Sequence, residues 1–399
     1  MSPRGPRDVD DAHVLKDGRP AARLRRRGNS TVFAYDPTYD GPPLGHSLPL
    51  SEERVTPGRS LPAFFTNLLP EGRRLAALRS QVKTAADDDL SLLLSVRDLI
   101  GDVEVEAAGS DRVREAAAPL VALDALGSVD LMDLLSQVGF ADRVGIPGVQ
   151  DKLSTGMITL PLRTAAGAGI LKVSPAGYPF AVENEAYFLA LARRLGLPVA
   201  EASIVRDATG RTALLVSRFD RPVVDGVTQR RAVEDGNQLL DLYPADKYRV
   251  SAEVLAEAVA GVCAARPVAL RAVVLQVCFA WLTGNGDLHA KNISALQGTT
   301  GEWRVAPIYD VPSTLPYGDH TLALTVGGRD AGLTRRHLIQ FGVDVGLPQR
   351  AAERALDVAL EATGPLLGDV ADGALPFNAN LRRDLVRQLG RRRRDAEGA

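Results

Sequence analysis

The order of hydrophobic patterns along the chain predicts an α+β protein in which a sheet-rich half precedes a helix-rich half, with a small extra unit in front. Three observations predict it. Short β-like runs bounded by Gly, Pro and Asp recur in the first hundred residues and again between Met157 and Val216. From about Glu234 onward the apolar residues follow mainly helical spacing. At 399 residues the chain also exceeds what one core ordinarily organises, about 250–300 residues, so two or three units are expected.

The first unit, residues 1–108, carries strand-like His13–Leu15 and Thr31–Tyr35, then a helix whose face is Phe64, Phe65, Leu68 and Leu69. Pro70-Glu71-Gly72 stops that face, and Leu75–Leu78 resumes a helical pattern. A short helix over Asp87–Leu94 and a strand over Ile100–Val105 follow. Residues 109–135 are Ala-rich without a firm period and read as a linker. In the second unit, 136–220, strands are expected at Met157–Leu162, Gly169–Val173, Ser203–Val205 and Thr212–Val216, with a helix over Val182–Leu195 stopped by Gly196. The third, 221–399, is mainly helical, except for strand-like Trp303–Tyr309 and Thr321–Val326. No internal repeat is present.

Composition narrows the function classes. With 45% hydrophobic and 24% charged residues, the chain is neither mainly disordered nor collagen-like. Basic and acidic residues, 47 against 49, leave a charge of −2, which argues against a global hold on nucleic acid or an anionic membrane. A local patch remains at Arg382, Arg383, Arg387 and the four arginines 391–394, for which a solvated helix end is the simpler reading. Cys263 and Cys278 lie in apolar surroundings and form no disulfide framework, and Met1–Asp11 lacks the apolar run of a secretory signal. Val268–Leu282 is interrupted by Arg271 and Gln276 and is shorter than the ~20 residues that span a bilayer. A cytoplasmic protein without a membrane span is expected.

The cations are skewed. Only six lysines (16, 83, 152, 172, 247, 291) stand among the 47 basic residues, a pattern that chance could give and that otherwise marks places where a compact point charge suits a site. Three of them fall in segments that carry chemistry. Gly284-Asn285-Gly286-Asp287-Leu288-His289-Ala290-Lys291-Asn292 follows the most apolar helix. A carboxylate and, five residues later, an amide on a loop leaving a rigid helix is the arrangement of a phosphotransferase catalytic loop. There Asp287 would deprotonate an attacking hydroxyl, Asn292 would hold magnesium, and Lys291 would steady the transferring phosphoryl group. Eighteen residues beyond Asn292, Asp310 follows an apolar strand and could be a second magnesium ligand.

Upstream, Lys172 in a strand and Glu183 or Glu185 in the next helix could form a phosphate-holding pair. Gly148, Val149, Gln150 and Lys152 lie in a turn-rich segment whose backbone N–H groups could cover phosphates. Ser217–Phe219, between the halves, is where a hinge would offer backbone groups to adenine. Taken singly, Asp287 also suits a turn cap, Asn292 a loop partner and His289 a structural histidine. The five histidines lack metal-ligand spacing, and neither a GxxxxGK[ST] nor a good GxGxxG occurs.

Together these segments resemble one family, the HipA-like serine/threonine kinases, toxins of bacterial type II toxin–antitoxin pairs. The resemblance spans nearly the whole chain through Phe64–Gly72, Gly148–Ser154, Glu183-Asn184-Glu185, Ser217–Arg221, Glu234-Asp235 with Gln238, Asn285–Ser294 and Tyr309-Asp310-Val311. It implies a two-lobed, protein-kinase-like fold with a small N-terminal α/β subdomain, using ATP and Mg2+ to phosphorylate a protein serine or threonine. It further implies Asp287 as base, Asn292 and Asp310 as metal ligands, Lys172 on the phosphates, His289 and Gln238 near the nucleotide, and Phe219 at the hinge. Aminoacyl-tRNA synthetases are among the family's targets. The implied partner is a small helix-turn-helix antitoxin, through which DNA would mainly be contacted. One position departs from the family: Gly145 stands where its best-known members carry an autophosphorylated serine. Two other readings are a catalytically weak co-repressor acting with the antitoxin, and a small-molecule kinase of the aminoglycoside-phosphotransferase type, to which Phe64–Gly72 is foreign.

Overall fold

The structure is a computed structural model that describes residues 9–51, 53–83, 88–96, 98–109, 127–133, 157–164 and 167–398. The proposed phosphate-covering segment, with Gly148, Val149, Gln150 and Lys152, lies outside the described residues, as do Gly145 and Ser154.

The N-terminal subdomain is an antiparallel sheet of β1 (Asp11–Lys16), β2 (Arg19–Arg27), β3 (Ser30–Tyr35), β4 (Arg54–Pro57) and β5 (Val103–Ala107), in the order β4-β3-β2-β1-β5. Asp17 and Gly18 both take positive φ, 49° and 72°, the two-residue turn whose twist suits a tight hairpin between β1 and β2. Strand alternation puts Ala12, Leu24 and Phe33 in register on one face. That face is buried against Phe64, Phe65, Leu90 and Leu93 from the helices Ala63–Thr66 and Asp89–Ser95. Between those helices runs a third, Gly72–Val82.

A second antiparallel sheet, β6 (Ile158–Thr164), β7 (Gly167–Val173), β8 (Ala202–Arg206) and β9 (Thr212–Ser217), is ordered β6-β7-β9-β8. Leu171, Val173, Ala213 and Leu215 bury one face with Leu131, whose N–H donates to Asp207 at 3.1 Å. The end of the expected linker is thus docked on this sheet; residues 110–126 and 134–135 lie outside the described set. Leu214 and Val216 turn the other way, toward the helix Ala181–Ala192, which runs on into a 3-10 turn, Arg193–Leu195, that stops at Gly196, φ 70°.

The helical lobe surrounds Arg266–Thr283, a helix whose residues from Ala269 to Thr283 are all buried except Arg271. Its apolarity reflects this central place: helices Ala252–Val262, Arg335–Asp344, Gln349–Ala362 and Ala379–Glu397 pack around it. A small sheet of β10 (Val233–Asp235), β11 (Ser294–Gln297) and β12 (Trp303–Val305) closes the lobe on the cleft side. The expected strand at Thr321–Val326 does not form. Leu322, Leu324 and Val326 alternate into the core, but their backbone is held by isolated bridges, Ser251 to Thr325 and Val326 to Arg329, and by the Leu322 N–H donating to the Asp330 carbonyl at 2.8 Å, rather than by a strand ladder. The arginine run stays helical to Glu397 with Arg387, Arg391 and Arg394 exposed as a solvated end, but one of its members is not. Arg392 is buried, stacks over Trp281 with its guanidinium carbon 4.2 Å from the ring centre, and donates to the Trp281 carbonyl at 3.0 Å and to the His320 carbonyl.

Candidate functional site

The central helix ends at Gly284 in the left-handed region, φ 66°, where an added Cβ would meet Leu315 at 2.4 Å. Glycine is therefore required both for the turn and for the close approach. The Thr314 hydroxyl accepts from the Gly286 N–H at 2.8 Å, pinning the next loop to the lobe. Within the loop the Asn285 side chain accepts from the Asp287 N–H at 2.8 Å, and the Asn292 Nδ2 donates to the Asp287 carbonyl at 2.8 Å. That second bond uses one of the amide's two N–H donors and orients its oxygen as the acceptor the group can offer. Asp287 itself is fully buried, and the Tyr248 hydroxyl donates to its Oδ1 at 3.2 Å.

Across the cleft, Lys172 on β7 reaches Glu185 Oε1 at 2.7 Å and Asp310 Oδ1 at 2.9 Å. This one ammonium joins the sheet, the helix behind it and the segment after β12. Burial alone would lower the Lys172 pKa, but the two carboxylates outweigh it and raise it. Burial likewise pushes Asp310 up, yet the Lys172 ammonium beside it holds it below the ordinary carboxylate range. Glu185, more deeply buried and repelled by Asp310, is pushed up to about 7. Asp310 also has φ 55°, rare for a non-glycine residue and a conformation that functional sites tend to store. Glu183 serves elsewhere, accepting from the Thr212 hydroxyl at 2.6 Å.

The two clusters lie within electrostatic reach of each other, since burial, Asp287 and Asp310 all push the Tyr248 hydroxyl up. His289 packs edge-on to Tyr248 with 5.1 Å between ring centres, and its buried ring nitrogens make no hydrogen bond among the described residues. Burial, reinforced by Lys247, pushes it down to about 3, so the ring is neutral and keeps one donor and one acceptor.

The other sequence-derived candidates are placed less directly. Lys291 has its ammonium ringed by protein oxygens: Asn67 O at 2.9 Å, Asn67 Oδ1 at 3.0 Å, Glu71 Oε1 at 3.2 Å and Asp235 Oδ2 at 3.2 Å. Three ammonium protons facing four such acceptors suit an anchor rather than a phosphate contact. Gln238 completes a capping box with Asp235 and donates to the Phe64 carbonyl at 3.2 Å, so its amide is engaged at both ends. Ser217 and Arg218 give their N–H groups to Glu201 and Ala168 carbonyls, while Phe219 packs against Tyr309. Glu71, Asn67, Lys247 and Tyr248 carried no assigned role in the sequence. The scarcity of lysine pointed toward one of them: Lys247 is buried and paired with Glu71, as Lys16 is with Asp102.

Among the described residues no group of three or more His, Cys, Asp and Glu side chains forms a metal cluster. One amide oxygen and one carboxylate remain, a donor set that suits magnesium, which commonly takes one or two protein ligands and completes its shell with phosphate and water.

A two-lobed fold with a lysine–acid–acid link across its cleft and a D-x4-N loop beneath it defines a protein-kinase-like domain, here with an N-terminal subdomain docked on it. The HipA-like C-terminal domain model matches residues 144–364 and the HipA N-terminal domain model residues 12–106, and the chain belongs to the HipA family. It is 30% identical to Y4mE of Sinorhizobium fredii, named there as a candidate kinase, over 90% of this chain and 92% of that protein. It is 26% identical to the serine/threonine-protein kinase toxin HipA of Shewanella oneidensis, over 79% and 78%. The solved complex of Shewanella oneidensis HipA, HipB and operator DNA contains a chain of the same fold, with a TM-score of 0.78, 21% identity and 97% of both chains covered.

Proposed function

We propose that the chain is an ATP- and magnesium-dependent protein serine/threonine kinase acting as the toxin of a type II toxin–antitoxin pair. The observation that carries this reading is Lys172 bridging Glu185 and Asp310 above the Asp287–Asn292 loop. In such a site the lysine holds the phosphates of ATP and the helix acid fixes the lysine. Magnesium, held by the Asn292 oxygen and the Asp310 carboxylate, would neutralise charge on the phosphates. Asp287 accepts the proton of the substrate hydroxyl as its oxygen bonds to the γ-phosphorus, and the bond to the ADP oxygen breaks. Neutral His289, beside Asp287, can donate one hydrogen bond to a phosphoryl oxygen. Gly148, Val149, Gln150 and Lys152 are proposed to cover the phosphates, and Ser217–Phe219 to border adenine. Gln238 is proposed to lie near the nucleotide, its amide held by Asp235 and Phe64.

A helix-turn-helix antitoxin is the proposed partner, and an aminoacyl-tRNA synthetase or another translation component the proposed substrate, in the cytoplasm. The relative that is bound with HipB and operator DNA supports the first, and so does the structural use of Arg392, which leaves less of the basic run for DNA. The test is transfer from γ-labelled ATP to a protein of a cell extract. Transfer that stops in Asp287→Asn and in Asp310→Asn is expected; transfer that survives both refutes the assignment. The complete burial of Asp287 favours a second reading, a weakly catalytic co-repressor. It predicts antitoxin and Mg-ATP binding without transfer.

A further inference from the structure

Glu71 is placed unusually. It occupies the N-cap of the helix Gly72–Val82, yet its side chain makes no capping hydrogen bond. Glutamate is also not among the residues that cap well. A locally unfavourable choice of this kind is expected where a residue serves the site. The carboxylate points out of its own subdomain to two lysines of the kinase-like domain: Oε2 pairs with Lys247, and Oε1 lies 3.2 Å from Lys291. Both are next in sequence to residues of the proposed chemistry. Lys247 precedes Tyr248, whose hydroxyl meets Asp287, and the Lys247 carbonyl accepts from the Ala290 N–H at 3.2 Å. Lys291 precedes Asn292, and its carbonyl accepts from the Tyr309 hydroxyl at 2.6 Å, one residue before Asp310.

We propose that Glu71 is a positioning residue for phosphoryl transfer: one carboxylate of the N-terminal subdomain fixes the base and the magnesium-binding amide together through Lys247 and Lys291. The inference rests on the kinase reading and deepens it, because it makes catalytic geometry conditional on how this subdomain docks. Asn67 supports the same clamp, holding Lys291 through its carbonyl and Oδ1 and donating through Nδ2 to the Leu242 carbonyl at 2.7 Å. The two lysines outweigh burial and hold Glu71 down to about 2, so it is ionised wherever the protein is folded near neutrality.

The test uses the full chain. Glu71→Gln keeps the shape and removes the charge. Its kcat should fall roughly 10–100-fold, the usual loss when an outer partner of a site is removed. KM for ATP should hold within about twofold, since Lys172, Glu185 and Asp310 are untouched. Hydrogen exchange of the 285–293 amides should speed up. Arg54→Ala breaks a pair with Asp241 on the same subdomain boundary and should change none of these. Should Glu71→Gln not fold, Lys247→Met and Lys291→Met each report the same exchange change. Wild-type kcat with wild-type exchange in Glu71→Gln overturns the proposal, and so does an equal loss in Arg54→Ala. If the wild type transfers no phosphate, the kinase reading fails, and the exchange comparison still decides whether Glu71 holds the loop.

Discussion

Replacing Lys172 with methionine keeps the length of the stem and removes the charge that two buried carboxylates share. The Lys172 side chain is 13% exposed and that of Glu185 2%, so solvent does little to screen the loss. Removing one partner of a buried pair costs about 3–5 kcal/mol, because the remaining charge is left uncompensated. Here the cost should depend on pH. Glu185 already sits at about 7 against an ordinary 4.5, a folded value above the unfolded one. The folded state therefore binds the extra proton, and stability falls as pH rises through that interval. Without Lys172 the carboxyl moves higher still, and each further unit adds about 1.4 kcal/mol once the pH exceeds the new value. Below about pH 7, protonated Glu185 relieves half of the burden. Lys172→Met should thus cost about 2 kcal/mol at pH 6 and about 4 kcal/mol at pH 8.5, read from urea unfolding. A cost under about 1 kcal/mol, or one equal at both pH values, would refute the reasoning.

Arg392→Met should destabilise by about 2 kcal/mol, since it leaves the Trp281 and His320 carbonyls without their donor, whereas exposed Arg391→Ala should fall within about 0.5 kcal/mol; thermal unfolding decides. His289 has a folded pKa near 3 against an ordinary 6.5, so its contribution is complete above pH 6.5 and is lost as pH falls toward 3. His289→Gln should flatten the unfolding curve in that window, and an unchanged acid limb would contradict a buried, neutral ring.

Much of the fold could be read from pattern, because strand alternation and the buried helix are local signals. Thr321–Val326 misled for a physical reason. Its alternation is real, but it is satisfied by packing on helices, and no neighbouring strand supplies a ladder. The site was legible where a motif is contiguous, as at Asp287, His289 and Asn292. The lysine's partner stayed open between Glu183 and Glu185, which lie roughly 200° apart around a helix. Only the angle at which that helix meets β7 selects Glu185. The clamp of Glu71 on Lys247 and Lys291 joins residues far apart in sequence and depends on how the subdomain docks, which no local pattern encodes. Lys291, readable as a free cation within its motif, has its neighbours decided by that same docking.

The central claim is that Asn292 and Asp310 share one cation beneath the phosphates of ATP. Calorimetric titration with ATP, with and without Mg2+, tests it most directly. The account predicts a single site whose binding requires Mg2+ in the wild type and is lost in Asp310→Asn and Asn292→Ala, both still folded. Equal affinity with and without Mg2+, unaltered in both variants, would contradict it.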